Sequence, residues 1–198
     1  MPPTMRTLPL ALLVAAASCA GPEANVKSAD PYERYLGVVE LGEDREAGKV
    51  AEHLQDRHYL VVTGALEALA KIGDTAFLQH PVAVLHWQAP KDDPLSDHPY
   101  RHPMVRSQAC ATIAAIRNPD GVAVLLAALS EPEAAVRRAA VKALATFGRL
   151  PQAVEGLVAA VGDKDPSVGL MAHEKLRELT GKGDVVRTSD AWKKALAP

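Results

Sequence analysis

The chain is short of aromatic residues, with two Trp, two Phe and four Tyr in 198 positions. A core with so few rings has to be filled by small side chains on closely approaching backbones. The Ala-rich composition suits packed helices for that purpose and disfavours a sheet built on β-branched and aromatic pairs. Cysteine is scarcer still: Cys19 and Cys110 are the only two, which excludes a disulfide framework and a Cys-based zinc site. Excess positive charge is absent as well. Lys and Arg number 22 against 24 Asp and Glu, a net charge of -2, so the cationic footprint of nucleic-acid binding is missing and no nucleic-acid partner is expected. The longest apolar run, Leu8 to Ala17, has roughly 10 residues where a membrane-spanning helix needs ~20. Motifs of catalysis are also missing. No G-x-S-x-G, H-E-x-x-H or dinucleotide glycine pattern occurs, and in TGKGD at 180 to 184 the P-loop fails because Leu176 and Gly183 stand where Gly and Ser or Thr are required. The expectation is a protein that is not an enzyme and carries neither cofactor nor metal.

The N-terminal 18 residues, with Arg6, the apolar run and then small residues, have the form of a signal peptide. Ala16-Ala17-Ser18-Cys19 resembles a bacterial lipoprotein box, with Ala16 at the position where Leu is most common. The resemblance implies cleavage before Cys19 and acylation of its thiol, hence an exported protein held on the bacterial cell envelope through a lipid anchor at Cys19, its only membrane contact. Residues 19–29 show no apolar period and read as a flexible tether.

From there a repeat organises the chain. VRSQACATIAAI from Val105, VRRAAVKALATF from Val136 and VGLMAHEKLREL from Val168 stand at offsets of 31 and 32 residues. In each, small or apolar residues fall at helical spacing on one face: Ala109, Ile113 and Ile116; Ala140, Leu144 and Phe147; Ala172, Leu176 and Leu179. VVTGALEALAKIG from Val61 is a fourth copy, and GVVELG ending at Gly42 belongs to a degenerate first copy. Each copy also has a second helix, marked seven residues before the first-helix Val by Leu54, Leu129 and Val161, and one turn earlier by Val50, Leu125 and Leu157. Acidic residues before Pro, at Asp30, Glu131 and Asp165, supply helix starts. A lone helix pair cannot bury its apolar face, whereas stacked pairs share one core. The expected fold is an all-α α-solenoid of about five helix-pair repeats over residues 30–180, closed by a C-terminal cap over 181–198.

EPEAAVRRAA and HPMVRSQA resemble the turn and first helix of short bacterial HEAT-like repeats, D-P-x-x-V-R-x-x-A. The resemblance implies that Arg106 and Arg137 join an Asp-Arg ladder between neighbouring repeats, a ladder that Val62 and Gly169 interrupt. The tail from Leu176 to Leu196 resembles the closing segment of such proteins, which implies that Trp192 folds over the open end of the last repeat.

Two regions carry the remaining expectations. Between Trp87 and Pro103 the period lengthens by about 13 residues, and the proline-rich segment over about 88–103 reads as a solvated loop. Its His86, His98 and His102 near Asp92, Asp93 and Asp97 match no metal-ligand spacing. The second helices should line the concave side, with Lys49, Glu52 and His53 in the first repeat, Val124, Ala127 and Ala128 in the third, and Gly156, Ala159 and Ala160 in the fourth facing solvent. That strip is the expected contact for a protein or peptide partner. A binding scaffold is therefore the leading reading. A structural envelope component is the alternative, and a HEAT-like enzyme such as a lyase stands behind both. Cys110, on the inward face, reads as a small buried hydrophobe.

Overall fold

The computed structural model describes residues 21–92 and 97–197, so the signal-like segment 1–18 and Cys19 lie outside the described residues. Within them the chain is helical throughout, with no strand. After a single turn α1 (Pro22–Asn25), the first repeat pairs α2 (Pro31–Glu43) with α3 (Ala47–Glu52), and the second pairs α4 (Tyr59–Ile72) with α5 (Gln79–His86). The third pairs α6 (Pro103–Ile116) with α7 (Val122–Ala128), and the fourth α8 (Ala134–Ala145) with α9 (Pro151–Ala160). The last first helix, α10 (Pro166–Thr180), is followed by α11 (Ser189–Leu196). Successive first helices pack side by side along the whole stack, and α5, α7, α9 and α11 form a second layer beside them. The molecule is the α-solenoid that the repeat implies.

The repeat positions build the core. Ala65, Ala109, Ala140 and Ala172 are each fully buried, as are Ile113, Leu144 and Leu176 one turn on. In the second layer Val50, Leu125 and Leu157 are equally buried, each such side chain contributing roughly 1.5–3 kcal/mol of apolar burial. Cys110 belongs to the same core, and burial pushes its thiol up to about 12, which leaves it protonated and inert.

Helix starts recur in register with a buried ion-pair ladder. The capping positions Asp30, His58, His102, Glu133 and Asp165 each stand four residues before the ladder position, occupied in turn by Arg34, Val62, Arg106, Arg137 and Gly169. Arg34 pairs with Asp56 (Nε to Oδ2, 2.7 Å), Arg106 with Glu131 (Nε to Oε2, 3.0 Å) and Arg137 with Asp163 (Nε to Oδ2, 2.8 Å). Each guanidinium also donates to two backbone carbonyls: Ser28 and Ala29, Val84 and Leu85, Glu131 and Pro132 respectively. Every acid of the ladder lies two residues before the next cap. The ladder thus ties each turn to the following repeat, and no buried side-chain nitrogen or oxygen among the described residues lacks a partner. Arg106 and Arg137 take the roles expected of them, and Arg34 is a further member.

Two expectations are corrected here. The tether does not run free to residue 29: from Pro22 onward the chain docks on the first repeat, with Val26 against the core and Glu23 Oε1 3.0 Å from Lys49 Nζ. Gly37 makes room for this, since a Cβ there would stand 2.8 Å from Val26 Cγ1. The second correction concerns the segment expected to be a solvated loop. Its last residues fold into a 3-10 turn, Pro99–Arg101, and Tyr100 is buried with its hydroxyl donating to the Leu54 carbonyl at 3.1 Å. One buried aromatic with a polar tip anchors the end of the insertion to the first repeat, across 46 residues of sequence.

At the other end the cap closes as expected. Trp192 is fully buried, its indole N–H donates to His173 Nδ1 at 2.9 Å, and α11 packs along α9. Apolar surface that another repeat would have covered is thereby removed from water.

Candidate functional site

The expected contact strip divides once the helices are in place. Lys49 and Glu52 are exposed and His53 is half-buried, Ala127 and Ala159 are exposed, but Val124, Ala128, Gly156 and Ala160 are buried. The physical reason is that each second helix is covered on two sides, by its own first helix and by the second helix of a neighbour, so its buried arc exceeds a single stripe. Gly156 shows this directly. A Cβ there would lie 2.3 Å from Leu126 Cδ2 of α7 and 3.3 Å from Leu144 Cδ1 of α8. The glycine serves helix approach and is no contact for a partner.

Where the second layer opens, it forms grooves. The smaller, about 360 Å³, lies between α5 and α7 and is lined by Leu85, His86, Val124, Ala127, Ala128 and Glu131 among others. The larger, about 660 Å³, lies between α9 and α11. Its floor is Val154, Val158, Ala159 and Leu196, and its rim carries Arg149, Lys182 and Lys193 against the single acid Glu155. Arg149 is held by its Nε–H donating to the Leu179 carbonyl at 3.2 Å. This arrangement presents apolar surface with a cationic border to solvent on a chain whose overall charge is negative.

Expected contacts therefore fall in three places. Val124, Ala127 and Ala128 share the smaller groove, Ala159 lines the larger, and Lys49, Glu52 and His53 line neither. Lys49 is engaged by Glu23. Gly156 and Ala160 lie outside both grooves. Sequence reasoning did not reach Val154, Val158, Leu196 or the cationic rim as a unit, because they converge only when the cap takes its place beside α9. The one available signal was the apolar-basic alternation of α11, where Trp192 and Leu196 alternate with Lys193 and Lys194.

Among the described residues no group of three His, Cys, Asp or Glu could hold a metal ion; Asp93 lies outside them. His86 borders the smaller groove, while His98 stacks on Trp87 (centroids 4.8 Å apart) and His102 on Tyr59 (4.0 Å).

Fold and site together define a helix-pair repeat protein with an apolar groove in its second layer. Residues 100–185 match the HEAT-repeat family. Among solved structures the chain is similar to one from the complex of CpcE and CpcF of phycocyanin lyase from Nostoc sp. PCC7120, with 16% sequence identity and a TM-score of 0.39, over 98% of this chain and 100% of that one. The comparison with curated proteins gives no match.

Proposed function

We propose that the protein is a non-catalytic binding scaffold, exported and held at the cell envelope by acylated Cys19, whose α9–α11 groove takes a peptide segment of a partner protein. The observation that carries the binding role is the groove itself: an apolar floor of Val154, Val158, Ala159 and Leu196 under a rim of three cations. Charge complementarity defines the occupant as an aliphatic or aromatic side chain flanked by Asp or Glu. The rim directs encounter and register, and the desolvated floor supplies affinity. Export and anchoring rest on the pattern of residues 1–19.

A random-peptide display screen on the purified protein tests the reading. Enriched peptides should combine a large apolar residue with neighbouring acids, and Ala159→Arg should abolish the enrichment. Ala159 is exposed, so the melting temperature of that variant should match the wild type. Absence of enrichment, or enriched peptides that bind Ala159→Arg equally well, overturns the assignment.

A further inference from the structure

Two surfaces at opposite ends of the stack carry matching chemistry. On α2, in the first repeat, Tyr32 is 58% exposed and Leu36 is 40% exposed, one helical turn apart on one face. Glu40 and Glu43 continue the same ridge over the following turns, and neither carboxylate makes a hydrogen bond or ion pair among the described residues. The only cation of the helix, Arg34, is buried and engaged by Asp56. The other sides of α2 are covered: Val26 stands against Gly37, Ala68 of α4 against Gly42, and the Tyr35 ring over Gly64 of α4. What stays open is a ridge with an apolar pair followed by acids. Tyr32 is held there by stacking on Tyr35, with centroids 6.2 Å apart, which lowers the ordering cost of a contact.

The α9–α11 groove has the complementary character, an apolar floor under the cations Arg149, Lys182 and Lys193. The Lys182 ammonium makes no hydrogen bond or ion pair among the described residues. Lys193 reaches Asp190 at 3.5 Å with both side chains largely exposed, a contact weak enough to be exchanged for another. Ridge and groove belong to different layers and to opposite ends of the stack, so they cannot meet within one chain. Between two copies they can, and each contact then leaves one ridge and one groove free, the property of a heterologous interface.

We propose that the α2 ridge of one copy docks in the α9–α11 groove of the next, so that the protein associates head to tail. The proposal rests on the reading of that groove as a seat for an apolar side chain flanked by acids, and α2 displays this chemistry on a folded helix. Tyr32 and Leu36 cover the apolar floor, and Glu40 and Glu43 meet the cationic rim. The apolar anchors supply most of the affinity. The charge pairs direct encounter and register, and they lose strength as salt rises.

Sedimentation velocity on the purified protein, over a concentration series, tests this. The average mass should rise with concentration without stopping at a dimer, and the rise should shrink at high salt. Leu36→Lys removes the ridge and Ala159→Arg the groove. Each variant alone should associate at least about thirtyfold more weakly than the wild type, and because both positions are exposed each should melt like it. Tyr32→Ser, at the more exposed ridge position, repeats the ridge test should Leu36→Lys melt early. Mixed together, Leu36→Lys and Ala159→Arg should form a one-to-one complex and nothing larger, since the intact ridge of one still meets the intact groove of the other. A protein that stays monomeric, association that neither variant weakens, or a mixture that does not combine overturns the proposal. A monomer whose groove still selects acidic, apolar peptides would remove only the second copy as its occupant; loss of peptide selection as well would remove the reading of the groove itself.

Discussion

The junction between the fourth and fifth repeats and the junction between the second and third solve one problem with different chemistry. At the former, Arg137 spans two carbonyls and Asp163, and an acid, Asp165, caps the next helix. At the latter, Val62 stands in the place of the Arg and is fully buried, Tyr100 stands in the place of the acid and is buried beside α4, and His102 replaces the capping acid. Both members of the rung have changed together. A half-exchange would bury a charge without its partner, the costliest outcome for such a pair.

The largest test of this comparison is to break the ionic rung. Arg137→Ala should cost ~3–5 kcal/mol, the range for stranding a buried partner, and lower Tm by roughly 10 °C or more in a chain of this size. The rung should also be sensitive to acid. Hydrogen bonds from Arg137 hold the Asp163 carboxyl below the usual carboxylate range, against the opposing effect of burial and with help from the Asp165 N–H. Because the folded value is depressed, the rung's stabilisation is complete above the unfolded carboxyl value of about 3.9 and is lost as pH falls through the lower folded value. Urea melts across that window should show a steep acid limb in the wild type and a flatter one in Asp163→Asn.

The apolar junction should respond differently. Tyr100→Phe retains the ring but leaves the Leu54 carbonyl without its donor, a loss of ~1 kcal/mol, with no change in the acid limb. A loss as large as that of Arg137→Ala would mean that the Tyr100 hydroxyl holds the insertion as firmly as the ion pair holds the regular junction. Equilibrium melts of the two variants, measured side by side, decide it.

How much of this could be read in the chain follows from what each feature depends on. Offsets of 31 and 32 residues identify Ala109, Ala140 and Ala172 as equivalent, and all three are fully buried; a periodic core is a local signal repeated. The ladder was half legible. Arg106 and Arg137 follow Val in the repeat motif, whereas Arg34 follows Glu33 and shows itself only by its distance from the Asp30 cap. Exposure on the second helices was misread at Val124, Ala128, Gly156 and Ala160, because a periodicity argument assumes one covering neighbour and these helices have two. The grooves were not legible. They depend on how α11 lies against α9 and α7 against α5.

The smallest expected effect concerns helix ends, where the ranking of regular and divergent junctions reverses. The first helix of the divergent second repeat ends on Gly73 in the left-handed region (φ 68°), which costs glycine nothing. The equivalent helix of the third repeat, whose ladder is intact, ends on Arg117 at φ 56°, with its N–H bonded to the Ile113 carbonyl at 3.2 Å. A side chain in that conformation costs roughly 1–2 kcal/mol. Arg117→Gly should therefore stabilise the protein, by less than this because glycine also enlarges the entropy of the unfolded chain. A net gain of about 0.5–1 kcal/mol follows, equivalent to a rise in Tm of roughly 1–4 °C. Thermal melts of Arg117→Gly beside Arg117→Ala separate backbone from side chain: Ala loses the same guanidinium but keeps the strain, so it should show no gain. Equal stabilisation by both would assign the effect to the arginine side chain and remove the helix end as an exception to the comparison.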